Sequence, residues 1–202
     1  MKVFGRLGLL SLVAWPGAVQ AHSPVPGIEG FYTGLLHPVS TPAQLFVLLG
    51  LGLLVSSYPL AAVRWLLTVF PFATLVGAWV SDGLMDVDTW LFALAFAACV
   101  WVALLPGRVI SLALGFTCVG GVLIGIVSMP EPGPAQDRII TLAGSLVGAN
   151  LGLLYLFGAA FYVRERFQQV WVGVALRIAA AWIGAVSIVM LALRFAPEAT
   201  AL

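Results

Sequence analysis

The residues best suited to chemistry are two histidines near the start of the chain, His22 and His37. Imidazole is a natural ligand for nickel, copper, iron and zinc. Pro38 follows His37, and because proline is tolerated in the first turn of a helix, this pair can place an imidazole at a helix entrance. The alternatives are an exposed histidine without a role for His22 and a hydrogen-bonding surface group for His37.

Three aspartates within seven residues, Asp82, Asp86 and Asp88, form a second candidate site. Carboxylates at this spacing attract divalent cations. The stretch lacks the full ligand spacing of a calcium loop, so a solvated loop that helps to fix orientation is the alternative interpretation. We call residues 81–88 the acidic loop.

A few other polar or reactive side chains lie within apolar stretches. Cys99 and Cys118 are expected to be small side chains in neighbouring helices rather than a disulfide. Asn150 would hydrogen-bond a neighbouring helix or line a path, and Arg177 would extend to the membrane surface or bind an acidic or carbonyl partner. The chain has no phosphate-binding glycine loop, nucleophile elbow or CxxC pair. We therefore expect no enzyme activity and no resident cofactor.

The elements that must position these residues are membrane helices. Hydrophobic residues make up 62% of the 202 residues and charged residues only 8%, whereas soluble domains carry about 25% charged residues. Such a surface faces lipid, and a net charge of +1 leaves no basic stripe for nucleic acid. The predicted fold class is an all-α polytopic membrane bundle, with six transmembrane helices after a cleavable signal peptide, in a bacterial inner membrane.

Residues 1–21 are typical of a signal peptide. Lys2 and Arg6 give it a positive start, an apolar stretch follows, and residues 19–21 fit a cleavage site. An uncleaved anchor helix is the alternative. Cleavage would expose the α-amine of His22, which would then chelate one metal ion together with its own ring.

Six segments approach the length of about 20 apolar residues that a membrane-spanning helix needs. They run over residues 43–63, 65–81, 89–105, 109–128, 139–163 and 170–193. Residues 22–42 would form a periplasmic N-terminal segment, 43–194 the transmembrane domain and 195–202 a short tail. Arginines fall in three joints, the first of them at Arg64, and the positive-inside rule places those joints in the cytoplasm and the mature N-terminus in the periplasm.

Glycines recur every four residues in two of these segments, at positions 121 and 125 and at positions 144, 148 and 152. Small residues at this interval let helix backbones approach closely in lipid. We therefore expect close helix contacts at both stripes.

Four features taken together point to one family. They are a signal peptide ending at Ala21-His22, the sequence Gly34-Leu35-Leu36-His37-Pro38, six following spans, and a last span reading Arg-Ile-Ala-Ala-Ala-Trp-Ile-Gly-Ala over residues 177–185. With these features the chain resembles the HupE/UreJ family of hydrogenase and urease accessory membrane proteins. Members of that family look like nickel or cobalt permeases that feed metalloenzyme assembly. The chain is diverged: Thr41, Ala43 and Gln44 stand where the family has a glycine and an Asp-His pair, and the mid-span histidine motif is absent.

The resemblance and the residues together predict a divalent transition-metal permease of the nickel or cobalt type, or a diverged relative. His22, His37, Asp82, Asp86 and Asp88 would capture the metal at the outer face, and the nickel, cobalt or other divalent ion would be transported or bound. The expected partners are the lipid bilayer, the divalent metal ion and metalloenzyme-assembly proteins. The missing family ligands keep a second hypothesis open, a non-transporting accessory or structural subunit of a larger membrane complex.

Overall fold

The computed structural model describes residues 28–130 and 132–196. The predicted signal peptide, His22 and residues 197–202 of the predicted tail lie outside the described residues. Within the described residues the chain forms seven α-helices and no β-strand, which confirms the predicted all-α fold class. The helices are α1 (Ile28–Ser40), α2 (Pro42–Ser56), α3 (Leu60–Val80), α4 (Asp88–Leu104), α5 (Ile110–Ser128), α6 (Ala135–Arg166) and α7 (Val170–Leu193).

The apolar helices make this chain a membrane protein. Four helices of the described ranges, α3, α5, α6 and α7, are long and apolar enough to cross a membrane. The pair α1 and α2 passes the same test as a unit, although it is bent by 67° at its break. Helix α4 is apolar but has only 17 residues. Length and composition thus support four or five spans, and a sixth span stays a prediction.

Residues 28–40 of the segment predicted as periplasmic form α1, which packs along α6. Helix α1 ends just before Thr41 because Pro42 is the first residue of α2. A proline pushes the residue before it out of the helical conformation, and Thr41 is extended, with φ −95° and ψ 114°. One proline therefore explains the break between the two helices.

The predicted joint between the first two spans, at Arg64, is wrong. Helix α2 ends at Ser56 and α3 begins at Leu60, so Arg64 lies inside α3. Pro59 has no N–H and is extended, with ψ 152°, so it interrupts the helix, whereas arginine is a good helix former. The guanidinium of Arg64 lies 5.3 Å from the ring centroid of the neighbouring Trp65.

Helix α2 lies at the centre of the bundle and packs mainly against α4 and α6. Its side chains Leu48, Leu51 and Leu54 are fully buried. Around this centre, α1 pairs with α6, α3 with α5, and α4 with α7. The core therefore consists of one short helix enclosed by three helix pairs.

The expected close contacts at the glycine stripes are confirmed. A Cβ added to Gly125 of α5 would lie 2.1 Å from the carbonyl oxygen of Thr74 in α3. A Cβ added to Gly148 of α6 would lie 2.1 Å from the carbonyl oxygen of Leu35 in α1. Both distances are far below van der Waals contact, so the paired backbones touch because these positions carry no side chain.

The charged residues separate to opposite ends of the bundle. One end, which we call the acidic end, is formed by the acidic loop, the turn between α5 and α6, and the end of α7. Its described charged residues after α1 are Asp82, Asp86, Asp88, Asp137, Arg138 and Arg194. The opposite end, which we call the arginine end, carries Arg64, Arg108, Arg164, Glu165, Arg166 and Arg177. Which end faces the cytoplasm stays a prediction from the positive-inside rule.

Candidate functional site

A cavity of about 330 Å³ lies at the acidic end beside His37, and we call it the His37 cavity. Four parts of the chain meet around it: α1, the acidic loop, the end of α5 and the first turns of α6. Its lining residues are Thr33, Gly34, His37, Gly83, Met85, Ile126, Val127, Ser128, Met129, Pro130, Thr141 and Ser145. The cavity therefore depends on segments that are distant in the sequence.

The prediction that His37 and Pro38 lie at a helix entrance is wrong: His37 lies in the last turn of α1 and Pro38 is inside that helix, and the chain breaks after them because Pro42 begins α2. Its backbone carbonyl accepts hydrogen bonds from the N–H of Thr41 at 3.0 Å and from the hydroxyl of Ser40 at 3.1 Å. The hydroxyl oxygen of Thr41 also lies 3.4 Å from Nδ1 of the imidazole. The exposed ring borders the cavity, and among the described residues the Thr41 hydroxyl is its only hydrogen-bond partner.

The three aspartates of the acidic loop lie apart from the His37 cavity. None of their side chains lines it, although Gly83 and Met85 of the same loop do. Asp82 accepts a hydrogen bond from the backbone N–H of Leu84 at 2.9 Å. Asp86 and Asp88 face Arg194 at the end of α7, with N–O distances of 2.5 and 3.7 Å. The guanidinium of Arg194 thus neutralises part of the charge that was expected to attract a cation.

Two thioether side chains, Met85 and Met129, also line the His37 cavity. Sequence reasoning missed them because methionine in an apolar chain carries no motif. Within residues 30–130 and 132–196, no three or more side chains of His, Cys, Asp or Glu come together as a metal-binding group. The candidate donors in the described structure are therefore one imidazole and two thioethers, a softer set than the predicted one of histidines and aspartates.

Hydroxyl groups from α5 and α6 line the cavity, among them those of Ser128 and Ser145. Ser145 Oγ donates to Ser128 Oγ at 3.0 Å, and Ser128 Oγ donates to the carbonyl of Ile124 at 2.7 Å. Both serine side chains are buried. Thr141 and Ser145 are four residues apart and so share one face of α6, which is a pattern that sequence reasoning could have used.

Asn150, near the middle of α6, donates to the carbonyl of Leu146 at 2.8 Å and lies 3.4 Å from the hydroxyl of Thr74 in α3. Of its two predicted roles, the contact with a neighbouring helix is the one that the geometry supports. The interhelical contact is long for a hydrogen bond. Asn150 lies five residues after Ser145 and therefore on a different side of α6, facing α3 rather than α5.

Gln44 is the most unusual polar residue of the core. Its side chain is fully buried in the first turns of α2, and among the described residues neither amide atom has a hydrogen-bond partner. A buried amide without a partner costs free energy. Gln44 therefore lowers the stability of the folded protein, and residues that do so are often found at functional sites.

The two cysteines are free, as predicted, with Cys99 buried and Cys118 exposed. Of the two predictions for Arg177, the structure supports the binding of a carbonyl partner. Its Nε donates to the carbonyl oxygen of Ala103 in α4 at 2.7 Å.

Comparison of the chain with protein-family models, with curated proteins and with solved structures found no match. The resemblance to the HupE/UreJ family stays a prediction.

Proposed function

We propose that this chain is a membrane permease for a transition-metal ion of the nickel or cobalt type, or a diverged relative of one, and that the ion enters at the His37 cavity. His37 is the first ligand, and His22 adds a second one where cleavage exposes its amine. The proposed passage is facilitated, which agrees with the lack of Asp and Glu, residues that commonly couple transport to protons, in all six apolar segments.

The observation that carries this proposal is the imidazole of His37 at the edge of an open cavity of about 330 Å³. Met85 and Met129 border the same space, and transition metals accept both imidazole nitrogen and thioether sulfur. The buried serine pair, Ser128 and Ser145, also lines this cavity. Its hydroxyl oxygens offer a partly dehydrated ion further ligands.

Transport can be measured with the full chain in liposomes that enclose a metal-sensitive dye. Nickel, cobalt, zinc and, because thioethers favour softer ions, Cu(I) are added outside one at a time. We expect at least one ion to enter faster than in empty liposomes. His37→Ala should lower the initial rate by at least about tenfold, since even indirect ligand partners change metal affinity by about 10–100-fold.

Leu36→Ala is the matched control, because Leu36 is exposed on the same helix and does not line the cavity. It should leave the rate unchanged. If no ion enters, or if His37→Ala transports as fast as Leu36→Ala, the proposed function is wrong.

The second candidate function is a non-transporting subunit of a larger membrane complex. Helix α7 favours it, because only Val172, Ala180, Gly184 and Ser187 of its 24 residues are buried. Ala181, Gly184 and Ala185 of α7 also border a shallow apolar groove against α4, and small residues accept a further helix closely. Co-purification with other membrane proteins in a fixed ratio, together with no ion transport in liposomes, would support this function instead.

A further inference from the structure

A second cavity, of about 240 Å³, lies at the arginine end, and we call it the arginine cavity. Helices α2, α4 and α6 end around it and α7 begins there. Arg164, Gly173 and Arg177 are among its lining residues. Because four helix ends meet at this level, the cavity lies where the hydrocarbon core gives way to lipid headgroups.

Two guanidinium groups border the arginine cavity, each anchored by one hydrogen bond to a helix end. Arg164 Nη1 donates to the carbonyl of Ser56 at 2.6 Å, in the last turn of α2. Arg177 Nε donates to the carbonyl of Ala103, in the last turn of α4. These carbonyls have no partner within their own helices. A guanidinium has five N–H donors, so one bond orients each group and leaves most of its donors available.

Neither arginine of the arginine cavity forms an ion pair within the described structure. In residues 28–130 and 132–196, neither Arg164 nor Arg177 has a carboxylate oxygen within 4.0 Å, and the ion pairs found involve Arg194 alone. Glu165 follows Arg164 on α6 and borders an adjoining cavity that shares Ser56, Ser57 and Arg164 with this one, but Glu165 itself does not line the arginine cavity. The arginine cavity therefore favours an anion.

The remaining walls of the arginine cavity are mostly apolar. Leu53, Val102, Val174 and Leu176 supply aliphatic surface next to the two arginines. Helices α6 and α7 both border the cavity and touch each other little, so we place the entry of a lipid chain between them. A ligand that matches both features has a phosphate and a hydrocarbon chain.

We propose that the arginine cavity binds the phosphate of an anionic phospholipid. The fork of an arginine matches the oxygens of a phosphate in a bidentate manner, and basic pockets between membrane helices suit anionic headgroups. The first part of an acyl chain lies against the aliphatic wall. This site is at the opposite end from the His37 cavity and does not depend on metal transport.

Native mass spectrometry of the delipidated full chain in mild detergent tests this proposal. Phosphatidylglycerol and phosphatidylcholine with identical acyl chains are titrated separately, with and without millimolar inorganic phosphate. Both lipids carry the same phosphodiester, but phosphatidylcholine adds a choline cation that the two guanidinium groups repel, so we expect phosphatidylglycerol to bind about tenfold more tightly. Inorganic phosphate should not displace it, because phosphate lacks the acyl chain.

Arg177→Gln should weaken phosphatidylglycerol binding by about tenfold. Arg64→Gln is the matched control, because it removes the same charge from the same end without touching the cavity, and it should change the affinity less than about twofold. Gly173→Leu keeps both arginines and fills the cavity, since a Cβ at Gly173 meets no atom within 4 Å. It should abolish the preference for phosphatidylglycerol even if Arg177→Gln folds poorly.

Three results would overturn the proposal. They are equal binding of the two lipids, unchanged affinity in Gly173→Leu, and displacement of phosphatidylglycerol by inorganic phosphate, which would make free phosphate the ligand.

Discussion

Gly125→Ala should destabilise the protein by forcing α3 and α5 apart. The added Cβ would lie 2.1 Å from the carbonyl oxygen of Thr74 and 2.9 Å from the backbone nitrogen of Ala78. Backbone atoms cannot rotate away as a side chain can, so the helices must separate by about 0.9 Å merely to lengthen 2.1 Å to 3.0 Å. Overpacking of this kind costs about 1–3 kcal/mol.

The free energy of unfolding can be measured in mixed micelles by titration with dodecyl sulfate, with tryptophan fluorescence as the signal. Gly115→Ala is the matched control on the same helix, because a Cβ at Gly115 would meet nothing within 4 Å. Alanine is the better helix former by about 1 kcal/mol, so the control should be neutral or more stable. Equal stability of Gly125→Ala and Gly115→Ala would refute the argument that α3 and α5 meet backbone to backbone.

Two further substitutions test the buried polar groups by the same titration. Gln44→Leu should stabilise the protein by about 1–3 kcal/mol, because it removes an amide that is buried without a partner, and a loss of stability would show that the amide is satisfied after all. Tyr58→Phe should destabilise it by about 0.5–1.5 kcal/mol, because the phenol of Tyr58 donates to the backbone carbonyl of Arg108. Burial raises the pKa of the Tyr58 phenol above its ordinary value of 10.0. The contribution of the phenol to stability is therefore complete below pH 10 and declines as the pH rises through the folded-state pKa. If the wild-type protein does not lose stability faster than Tyr58→Phe in that pH range, this argument is wrong.

The sequence predicted most of the helices well, because continuous apolar runs have one economical backbone conformation in lipid. The predicted segment 170–193 coincides with α7, and 109–128 differs from α5 by one residue. Helix α6 is longer than predicted, running from Ala135 to Arg166, because hydropathy locates the apolar part of a helix and not its charged ends. Pro59 rather than Arg64 separates α2 from α3. Counting apolar residues cannot predict this, because it treats Arg64 as the end of the apolar run and takes no account of the missing N–H of proline.

The candidate site was predicted only at His37. A histidine beside a proline is visible in one short stretch, whereas the His37 cavity needs α1, the acidic loop, α5 and α6 to come together. The pairing of Asp86 with Arg194 joins residues that are 108 positions apart, so no local pattern indicates it. The two methionines carry no motif at all, and their relevance comes from their position alone.

The separation of charge between the two ends has a consequence for any measurement in vesicles. Turning the inserted bundle over would draw the seven described guanidinium groups, five from the arginine end and two from the acidic end, through hydrocarbon, and each costs at least about 2.5 kcal/mol at the bilayer centre. A molecule therefore keeps for its lifetime the direction in which it was inserted. Liposomes prepared at random hold two permanent populations, one presenting His37 to the outside and the other presenting the arginines, and a reagent that cannot cross lipid reports on one of them at a time.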